Sequence, residues 1–291
     1  MNTPDWFKEA VAAPYEEDLV TVEGCDIHYL VRGGRGRAGL VFVHGGAAHA
    51  RWWDHIAPML ATEYQVVAVD LSGHGDSGRR DTYPTETWAQ EVMAVAEHSG
   101  IDGPPIVVAH SMGGWVAISA AAEQPETLAG IVVLDSPVRV AAPEEEAAAE
   151  GIAFGPLRTY PTMEDALSRF RTVPDQPTSL PYVIDHVART SLRQVEDGWT
   201  WKFDPRIFTF RVPSGEQLRQ IRCRVALFRS EYGLVTPDIG EYMYEQLGRI
   251  APVIEVPLAW HHVMLDQPLP LTTGLRTLLA DWEHSVPYRR K

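Results

Sequence analysis

Residues 106–114 read IVVAHSMGG, and this stretch decides the fold. Strand-favouring residues 106–109 lead directly into Ser111, and an alanine-rich run typical of a helix, residues 112–124, follows at once. A sharp strand-to-helix turn lifts the serine hydroxyl clear of the sheet edge, and small residues around it let the turn pack tightly. The helix start also directs backbone N–H groups at negative charge that develops beside the serine. The stretch therefore predicts a nucleophile at Ser111, and the competing interpretation is a serine that only caps the helix.

Short strand-like runs alternate with helix-length runs on both sides of this stretch. Such alternation is typical of the α/β class, in which crossover units build a mostly parallel sheet flanked by helices. The predicted strands are residues 19–23, 26–31, 40–43, 66–69, 106–109, 131–134, 225–228 and 253–256. The clearest predicted helices are residues 85–99, 112–124 and 270–282.

The alternation stops after the sixth predicted strand, where the next strand is about 85 residues away and a single crossover needs far fewer. We expect residues 137–224 to form an inserted helical cap, with residues 1–136 and 225–291 as the core. The cap segment opens with an acidic, alanine-rich piece at residues 144–150 and then carries prolines between short helical runs.

Aromatic side chains are concentrated in the cap at residues 198–211, which makes them candidates for lining a substrate pocket. The candidates are Trp199 and Trp201 in the cap, together with Trp52 and Trp115 in the core. Aromatic rings bury large areas wherever they pack, so the alternative that these rings only form local apolar cores stays open.

A second chemical signal follows the third predicted strand, where the chain reads His44-Gly45-Gly46. Attack on a carbonyl turns its oxygen into an oxyanion, which needs two fixed hydrogen-bond donors. The backbone N–H groups of Gly46 and Met112 are predicted to supply them. His44 is predicted to be a structural residue of the loop, and a tight turn without chemistry is the alternative for the glycine pair.

A third signal lies after the last predicted strand, where residues 257–262 read PLAWHH. A histidine that follows a strand and a short loop is placed to act as the general base for a serine. His261 fits this position, and His262 is then expected to point elsewhere or to pack. The alternative for each histidine is a packing role without chemistry.

Four segments together resemble the α/β-hydrolase superfamily: residues 44–46, residues 70–77 (DLSGHGDS), residues 110–114 and His261. The resemblance covers nearly the whole chain. It implies an α/β-hydrolase fold with a mostly parallel eight-stranded sheet, a cap after the sixth strand, and the chain order nucleophile, acid, histidine. It also implies local hydrogen bonding, and no catalytic role, for residues 70–77. It does not imply one substrate, because this fold hosts many reactions.

The acid is the point at which the chain departs from the resembling family. The family's usual position for the acid falls on Gly233, which cannot orient an imidazole. Asp135, directly after the sixth strand, and Glu231 are the two candidates. Some resembling enzymes place the acid after the sixth strand, one strand over in the sheet, and Asp135 fits that arrangement. We therefore predict Ser111, Asp135 and His261 as the catalytic residues, with Glu231 as the alternative acid.

The type of nucleophile narrows the chemistry, because resembling dehalogenases and epoxide hydrolases carry Asp where Ser111 stands. We expect hydrolysis of a small or medium apolar ester, lactone or thioester through an acyl-enzyme. One alternative is a carbon–carbon bond hydrolase of β-diketone-like substrates with the same residues. Another is a non-catalytic ligand receptor in which Ser111 and His261 are only pocket walls.

Composition excludes several other classes of function. A formal net charge of −14 repels polyanions, so no nucleic-acid partner is expected. No apolar run approaches the roughly 20 residues of a bilayer crossing, and residues 1–10 lack the pattern of a secretory signal, so a cytoplasmic protein is expected. Phosphate-loop, dinucleotide and metal-ligand spacings do not occur, so we expect no cofactor, no metal and a small-molecule substrate as partner. Cys25 and Cys223 are expected to be reduced core thiols.

Overall fold

The computed structural model describes residues 3–139, 156–209 and 212–285. Up to residue 139, the helices and strands are α1 (Asp5–Ala12), β1 (Glu16–Val22), β2 (Cys25–Arg32), β3 (Gly39–Val43), β4 (Gln65–Val69), α2 (Thr85–His98), β5 (Ile106–His110), α3 (Met112–Glu123) and β6 (Gly130–Leu134). In the later described ranges they are α4 (Met163–Leu167), α5 (Pro181–Thr190), β7 (Leu192–Val195), β8 (Gly198–Trp201), α6 (Gly215–Gln220), β9 (Arg224–Tyr232), α7 (Pro237–Gln246), β10 (Val253–Trp260), α8 (Val263–Asp266) and α9 (Pro268–His284). Short 3₁₀ turns occur at Ala50–Trp53, Ala57–Met59 and Pro205–Thr209.

One large sheet contains eight strands in the order β1-β2-β4-β3-β5-β6-β9-β10. Strand β2 is antiparallel to both of its neighbours, and the remaining neighbouring pairs are parallel. The carboxyl ends of β3, β5, β6, β9 and β10 therefore meet at one edge, where ligand sites form in sheets of this kind. The mostly parallel eight-stranded sheet predicted from the sequence is confirmed.

The central strands are apolar on both faces because helices cover both sides of the sheet. Strands β3, β4 and β6 are buried at every residue. One apolar layer lies between the sheet and helices α2, α3, α6 and α7, and it includes Trp88 and Val116. The other layer lies between the sheet and helices α1, α5 and α9, and it includes Val187 and Leu275. This packing makes the strand ends rigid supports for the loops that follow them.

Residues 156–209 belong to the segment predicted as a helical cap. Helices α4 and α5 are followed there by β7 and β8, an antiparallel ribbon that was not predicted from the sequence. A backbone bridge joins Phe203 to His74, so the end of the ribbon is tied to the core loop after β4. The predicted acidic piece at residues 144–150 lies outside the described residues.

Two helices of the cap segment pack against the core. Helix α6 packs against α3 and α7, and its Leu218 belongs to the same apolar layer as those helices. Helix α5 buries Val183 and Val187 in the opposite layer. The division into a core of residues 1–136 and 225–291 and a cap of residues 137–224 stays a prediction.

All eight predicted strands correspond to strands of the main sheet, but the last two are longer than predicted. Strand β9 continues to Tyr232 and β10 to Trp260. In β10 the added residues follow an irregularity in the strand. Its pairing with β9 is interrupted between Val256 and Trp260, where Leu258 has a φ of 58°.

The two cysteines are free thiols at separate places in the fold. Cys25 is buried in the layer beneath α2 and α3, and Cys223 packs against the same layer at its edge. Burial raises the pKa of the Cys223 thiol to about 12. Among the described residues, no helix is both long enough and apolar enough to span a membrane.

Candidate active site

Ser111 stands at the turn between β5 and α3, with a φ of 54° and a ψ of −123° that residues other than glycine rarely adopt. Its amide N–H donates to the Leu134 carbonyl at 3.0 Å, which ties the turn to the end of β6. Close packing explains the glycine at position 113, because a Cβ there would overlap the His44 carbonyl. The strand-to-helix turn predicted at Ser111 is present, and its strained backbone holds the hydroxyl in one place.

His261 connects Ser111 to Asp135 through its two ring nitrogens. Its Nε2 lies 2.9 Å from Ser111 Oγ, and its Nδ1 lies 2.7 Å from Asp135 Oδ2. A carboxylate only accepts hydrogen bonds, so Nδ1 carries the proton and Nε2 is left to accept the serine O–H. His261 and Asp135 are 3% and 1% exposed. The three residues predicted as catalytic therefore form one hydrogen-bonded chain.

Backbone amides hold the Asp135 carboxylate in place. Its Oδ1 accepts the N–H groups of Ser230 at 3.3 Å and Val235 at 3.1 Å, and its Oδ2 accepts that of Leu234 at 2.8 Å. All three donors lie at or just after the end of β9, the strand next to β6 in the sheet. Hydrogen bonds to a charged acceptor are strong ones, so the loop after β9 fixes the acid that the loop after β6 supplies.

Gly233 leaves the space that this carboxylate occupies. A Cβ at position 233 would overlap all three terminal atoms of the Asp135 side chain. The alternative acid, Glu231, points elsewhere, because its Oε2 accepts the Leu258 amide at 2.7 Å. Of the two candidates for the acid, the structure brings Asp135 to His261.

The loop after β3 lies directly against the turn that carries Ser111. A Cβ on Gly45 would come within 3.2 Å of Ser111 Cβ, and one on Gly46 would come within 3.7 Å of Met112 Sδ. Met112 is the first residue of α3, where an amide has no acceptor inside the helix. Within the described ranges, the amides of Gly46 and Met112 have no hydrogen-bond acceptor. Both predicted oxyanion donors therefore belong to segments that contact each other beside Ser111, and neither has an acceptor among the described residues.

His44 is a structural part of this loop. Its Nδ1–H donates to the Gly45 carbonyl at 2.7 Å, and its Nε2 accepts the Leu71 amide at 3.2 Å. Burial lowers the pKa of His44, which suits a neutral ring with one donor and one acceptor. Both nitrogens are occupied, so His44 has no free atom for proton transfer.

Two further histidines surround the base. His110 Nε2–H donates to the His261 carbonyl at 2.9 Å, and His262 Nε2–H donates to the Pro174 carbonyl at 3.2 Å. Burial is the main cause that lowers the pKa of His262 to about 3, so this ring is neutral. These contacts orient the loop that carries His261.

Among the described residues, two groups of side chains have the composition of a metal site. One ring nitrogen of each of His110, His261 and His262 lies within 4.8 Å of the others. The second group is His28 with Asp70 and Asp76. The first group includes the ring aligned with Ser111, so an ion there would compete with that hydrogen bond.

A cavity of about 460 Å³ opens beside the turn and lies between the loop after β3 and the cap segment. Its wall is formed by Gly46, Ala47, His49, Trp52, Pro156, Leu157, Arg158, Tyr160, Arg169, Phe170, Arg171, Thr172, Val173, Ser191, Trp201, Lys202, Phe203 and His262. Of the four tryptophans predicted for a pocket, Trp52 and Trp201 lie in this wall. The cavity thus joins core and cap residues that are far apart in the sequence.

The other two predicted tryptophans lie outside the wall of this cavity, so a pocket role for them stays a prediction. Trp115 Nε1–H donates to the Pro137 carbonyl at 2.9 Å, and its ring packs against the core layer under α3. Trp199 pairs through its backbone with Tyr160. Neither tryptophan lines the cavity, because the direction of each side chain follows from the packing of its own helix or strand. Phe208, another aromatic residue of the predicted stretch 198–211, lies against Gly46.

Comparison with known proteins identifies, over most of the chain, the same family that the sequence motifs resemble. Residues 40–272 match the alpha/beta hydrolase family. The esterase Rv0045c of Mycobacterium tuberculosis is 26% identical over 249 residues, which cover 82% of this chain and 82% of that protein. The uncharacterized hydrolase YugF of Bacillus subtilis is 34% identical over 118 residues, which cover 40% of this chain and 43% of that protein. This chain thus spans less than half the length of that relative.

A solved structure shares the whole fold. The crystal structure of E-2-(acetamidomethylene)succinate hydrolase superposes with a TM-score of 0.81 and covers 92% of this chain and 100% of its own. The sequences are 19% identical, so this likeness concerns the fold alone.

Proposed function

Because the chain belongs to the alpha/beta hydrolase family, we propose that it is a serine hydrolase that cleaves a small or medium apolar ester, lactone or thioester through an acyl-enzyme. The observation that carries the proposal is the hydrogen-bonded chain from Ser111 through His261 to Asp135. A hydroxyl aligned with an imidazole lone pair, which a buried carboxylate orients, meets the requirement for a serine nucleophile.

The reaction takes place in two halves. His261 Nε2 takes the proton of the Ser111 hydroxyl while Oγ attacks the substrate carbonyl carbon. The Gly46 and Met112 amides bind the oxyanion that forms. The imidazolium then gives its proton to the leaving alkoxide or thiolate, which departs and leaves the acyl-enzyme. Water, deprotonated by His261, attacks the acyl carbon, and the carboxylic acid is released as Ser111 regains its proton.

Asp135 acts through His261 in both halves. It holds the ring in the tautomer with a proton on Nδ1, and its negative charge stabilises the imidazolium. The name of the M. tuberculosis relative, an esterase matched over 82% of this chain, supports the ester-cleaving form of the proposal. We assign residues 137–224 to a cap, and we propose that a small-molecule substrate binds under it. We also propose that the protein is cytoplasmic.

Covalent labelling by a fluorophosphonate, read by intact mass, tests the nucleophile. The wild-type protein is expected to gain one adduct, and Ser111→Ala is expected to gain none. Ser168→Ala removes an exposed cap serine that only donates to a backbone carbonyl, and it should label like the wild type. An adduct on Ser111→Ala, or none on the folded wild type, would contradict the assignment.

A substrate panel then separates the reaction types that share these residues. Esters, lactones, thioesters and vinylogous diketones are assayed side by side with the wild type and Ser111→Ala. Turnover of the first three classes supports the proposal. Turnover of the diketones alone identifies a carbon–carbon bond hydrolase instead, and absence of both labelling and turnover identifies a ligand receptor.

A further inference from the structure

Four cationic side chains lie in the wall of the 460 Å³ cavity: Arg158, Arg169, Arg171 and Lys202. No Asp or Glu belongs to the wall within the described part of the chain. The chain as a whole has a formal net charge of −14, so the wall has the opposite sign to the molecule. Charge of one sign collected in a concave site attracts ligands of the other sign.

Most of this positive charge is not neutralised by neighbouring acids. Lys202 Nζ lies 2.6 Å from Asp76 Oδ2, which compensates its charge. The Arg171 guanidinium donates only to backbone carbonyls of its own segment, which leaves its charge intact. Arg158 and Arg169 have no carboxylate partner among the residues that the structure describes. Among the residues that the structure describes, the cavity wall therefore keeps positive charge on its three arginines.

Aromatic rings provide much of the remaining wall. They are Trp52, Tyr160, Phe170, Trp201 and Phe203. Rings of this kind bury an apolar ligand body, and an arginine fork binds a carboxylate or phosphate with two parallel hydrogen bonds. The combination fits a ligand that has an apolar body with an anionic group at one end.

One end of the same cavity adjoins the proposed reacting groups, although Ser111 and His261 do not themselves belong to its wall. Gly46, whose amide is assigned to the oxyanion, and His262, the neighbour of the base, both line it. Its volume of about 460 Å³ lies within the range of roughly 300–1,000 Å³ that is usual for small-ligand sites. A substrate whose acyl carbon lies at Ser111 can extend past Gly46 and His262 into this cavity, with its far end among the arginines.

We propose that this cavity selects acyl substrates whose apolar body ends in an anionic group, carboxylate or phosphate, bound by Arg158 and Arg169. This inference rests on the proposed function, because it places the acyl carbon at Ser111. The two arginines are chosen because the Lys202 charge is already shared with Asp76. An uncharged ester of equal length lacks this contact and is the weaker substrate.

A matched pair of substrates tests the selection. The 4-nitrophenyl ester of hexanoic acid is neutral, and the mono-4-nitrophenyl ester of adipic acid has a carboxylate at the end of a chain of equal length. The wild type is expected to prefer the adipate ester by about tenfold in kcat/KM, the effect of one charge-assisted contact. Equal or lower kcat/KM for the adipate ester would overturn the proposal for carboxylates.

Charge-removing variants assign the preference to residues. In Arg158→Gln with Arg169→Gln, the ratio of the two kcat/KM values should fall about tenfold, mainly through the KM of the adipate ester. Arg222→Gln is the matched control, because this exposed arginine donates only to backbone carbonyls outside the cavity. In Arg222→Gln, the ratio of kcat/KM for the adipate ester to kcat/KM for the hexanoate ester should equal that of the wild type. An unchanged ratio in the double variant would show that these arginines do not bind the anion.

A binding measurement separates failure of this inference from failure of the proposed function. Calorimetry with adipate and with hexanoate needs no turnover, and adipate should bind about tenfold more tightly to the wild type than to the double variant. The 4-nitrophenyl ester of 6-phosphonooxyhexanoic acid, which has a phosphate at the far end of its acyl chain, tests a phosphate as the anion. Tight adipate binding without turnover would leave the anion site standing and refute the hydrolase. Turnover of neutral esters with no preference for either anion would refute the anion site and leave the hydrolase standing.

Discussion

Two buried aspartate–histidine pairs stand at the carboxyl ends of parallel strands in this molecule. Asp70 follows β4, and its Oδ2 lies 2.8 Å from His28 Nδ1. Asp135 follows β6, and its Oδ2 lies 2.7 Å from His261 Nδ1. Each carboxylate also accepts backbone amides from neighbouring loops. The two pairs are alike in geometry, yet only the second one belongs to the proposed reaction.

The difference lies at the other nitrogen of each ring. His28 Nε2 faces a second carboxylate, Glu17, at 3.3 Å, whereas His261 Nε2 faces the Ser111 hydroxyl at 2.9 Å. Burial by itself lowers the pKa of His28, but hydrogen bonds and charge from Asp70 and Glu17 raise it above the usual value. A cationic ring has no lone pair and cannot accept a proton. An aspartate–histidine pair is thus a base only where its outer nitrogen meets a group that can lose a proton.

The largest expected effect separates the two histidines. His261→Ala should lower kcat by about 10⁴-fold or more, because the serine then has no base. His28→Ala should lower the free energy of unfolding by about 3 kcal/mol, since it leaves buried Asp70 without its partner. The kcat of His28→Ala, measured per fluorophosphonate-titrated site, should match the wild type. A large loss of kcat there would show that the two pairs are not functionally distinct.

The two candidates for the acid, Asp135 and Glu231, should also differ in their effect on kcat. Asp135→Asn should lower kcat by about 10⁴-fold, because the amide no longer fixes the productive tautomer of His261. Glu231→Gln is the control, and its effect should be small because the Glu231 carboxylate accepts the Leu258 amide and does not contact His261. The reverse outcome would move the acid to β9.

A rescue experiment sharpens this test. Gly233→Asp combined with Asp135→Ala should recover part of the lost rate, because the alanine vacates the space that a side chain at position 233 needs. Gly233→Asp combined with Asp135→Asn should not, since the amide still fills that space. Equal rates for the two double variants would contradict the steric argument.

One glycine lies against Asp135 and another against Asp70, and we expect their substitutions to affect different properties. A Cβ on Gly233 would overlap Asp135, and one on Gly75 would overlap Asp70. Gly233→Ala should lower kcat by about 100-fold, because the displaced carboxylate no longer aligns His261. Gly75→Ala should instead lower the free energy of unfolding by about 2 kcal/mol, since it adds overlap and a strained φ of 55°. Urea unfolding and kcat per labelled site distinguish the two results.

The smallest effect concerns pH. The pKa of His28 is raised in the folded state. Its pairs with Asp70 and Glu17 therefore contribute their full stability at pH values below the histidine pKa in the unfolded chain, about 6.5. That contribution is lost as the pH rises through the higher pKa of the folded state, so the free energy of unfolding should fall as the pH is raised above about 6.5. His28→Gln should remove this dependence. His284→Gln, at an exposed histidine near the end of α9, should keep it. An unchanged dependence in His28→Gln would refute the assignment.

Local sequence patterns were sufficient to locate Ser111 and His261. A strand, a small-residue turn and a helix are encoded by residues adjacent in the chain, so Ser111 could be placed without knowledge of the rest. The mostly parallel sheet followed from the same alternation. The acid could not be chosen in this way, because Asp135 and Glu231 both lie at strand ends and differ only in what they face.

The tertiary structure decided the contacts that cross from one strand or segment to another. Strand β6 lies beside β9, so the Asp135 carboxylate enters the space left by Gly233 and reaches His261. Tertiary packing also places Trp115 against the core layer under α3 and Trp52 in the cavity wall. The cationic wall is also non-local, since its residues come from separate turns of the cap segment. Sequence patterns report neighbours along the chain, whereas a site is built from neighbours in space, and the sheet order sets those distances.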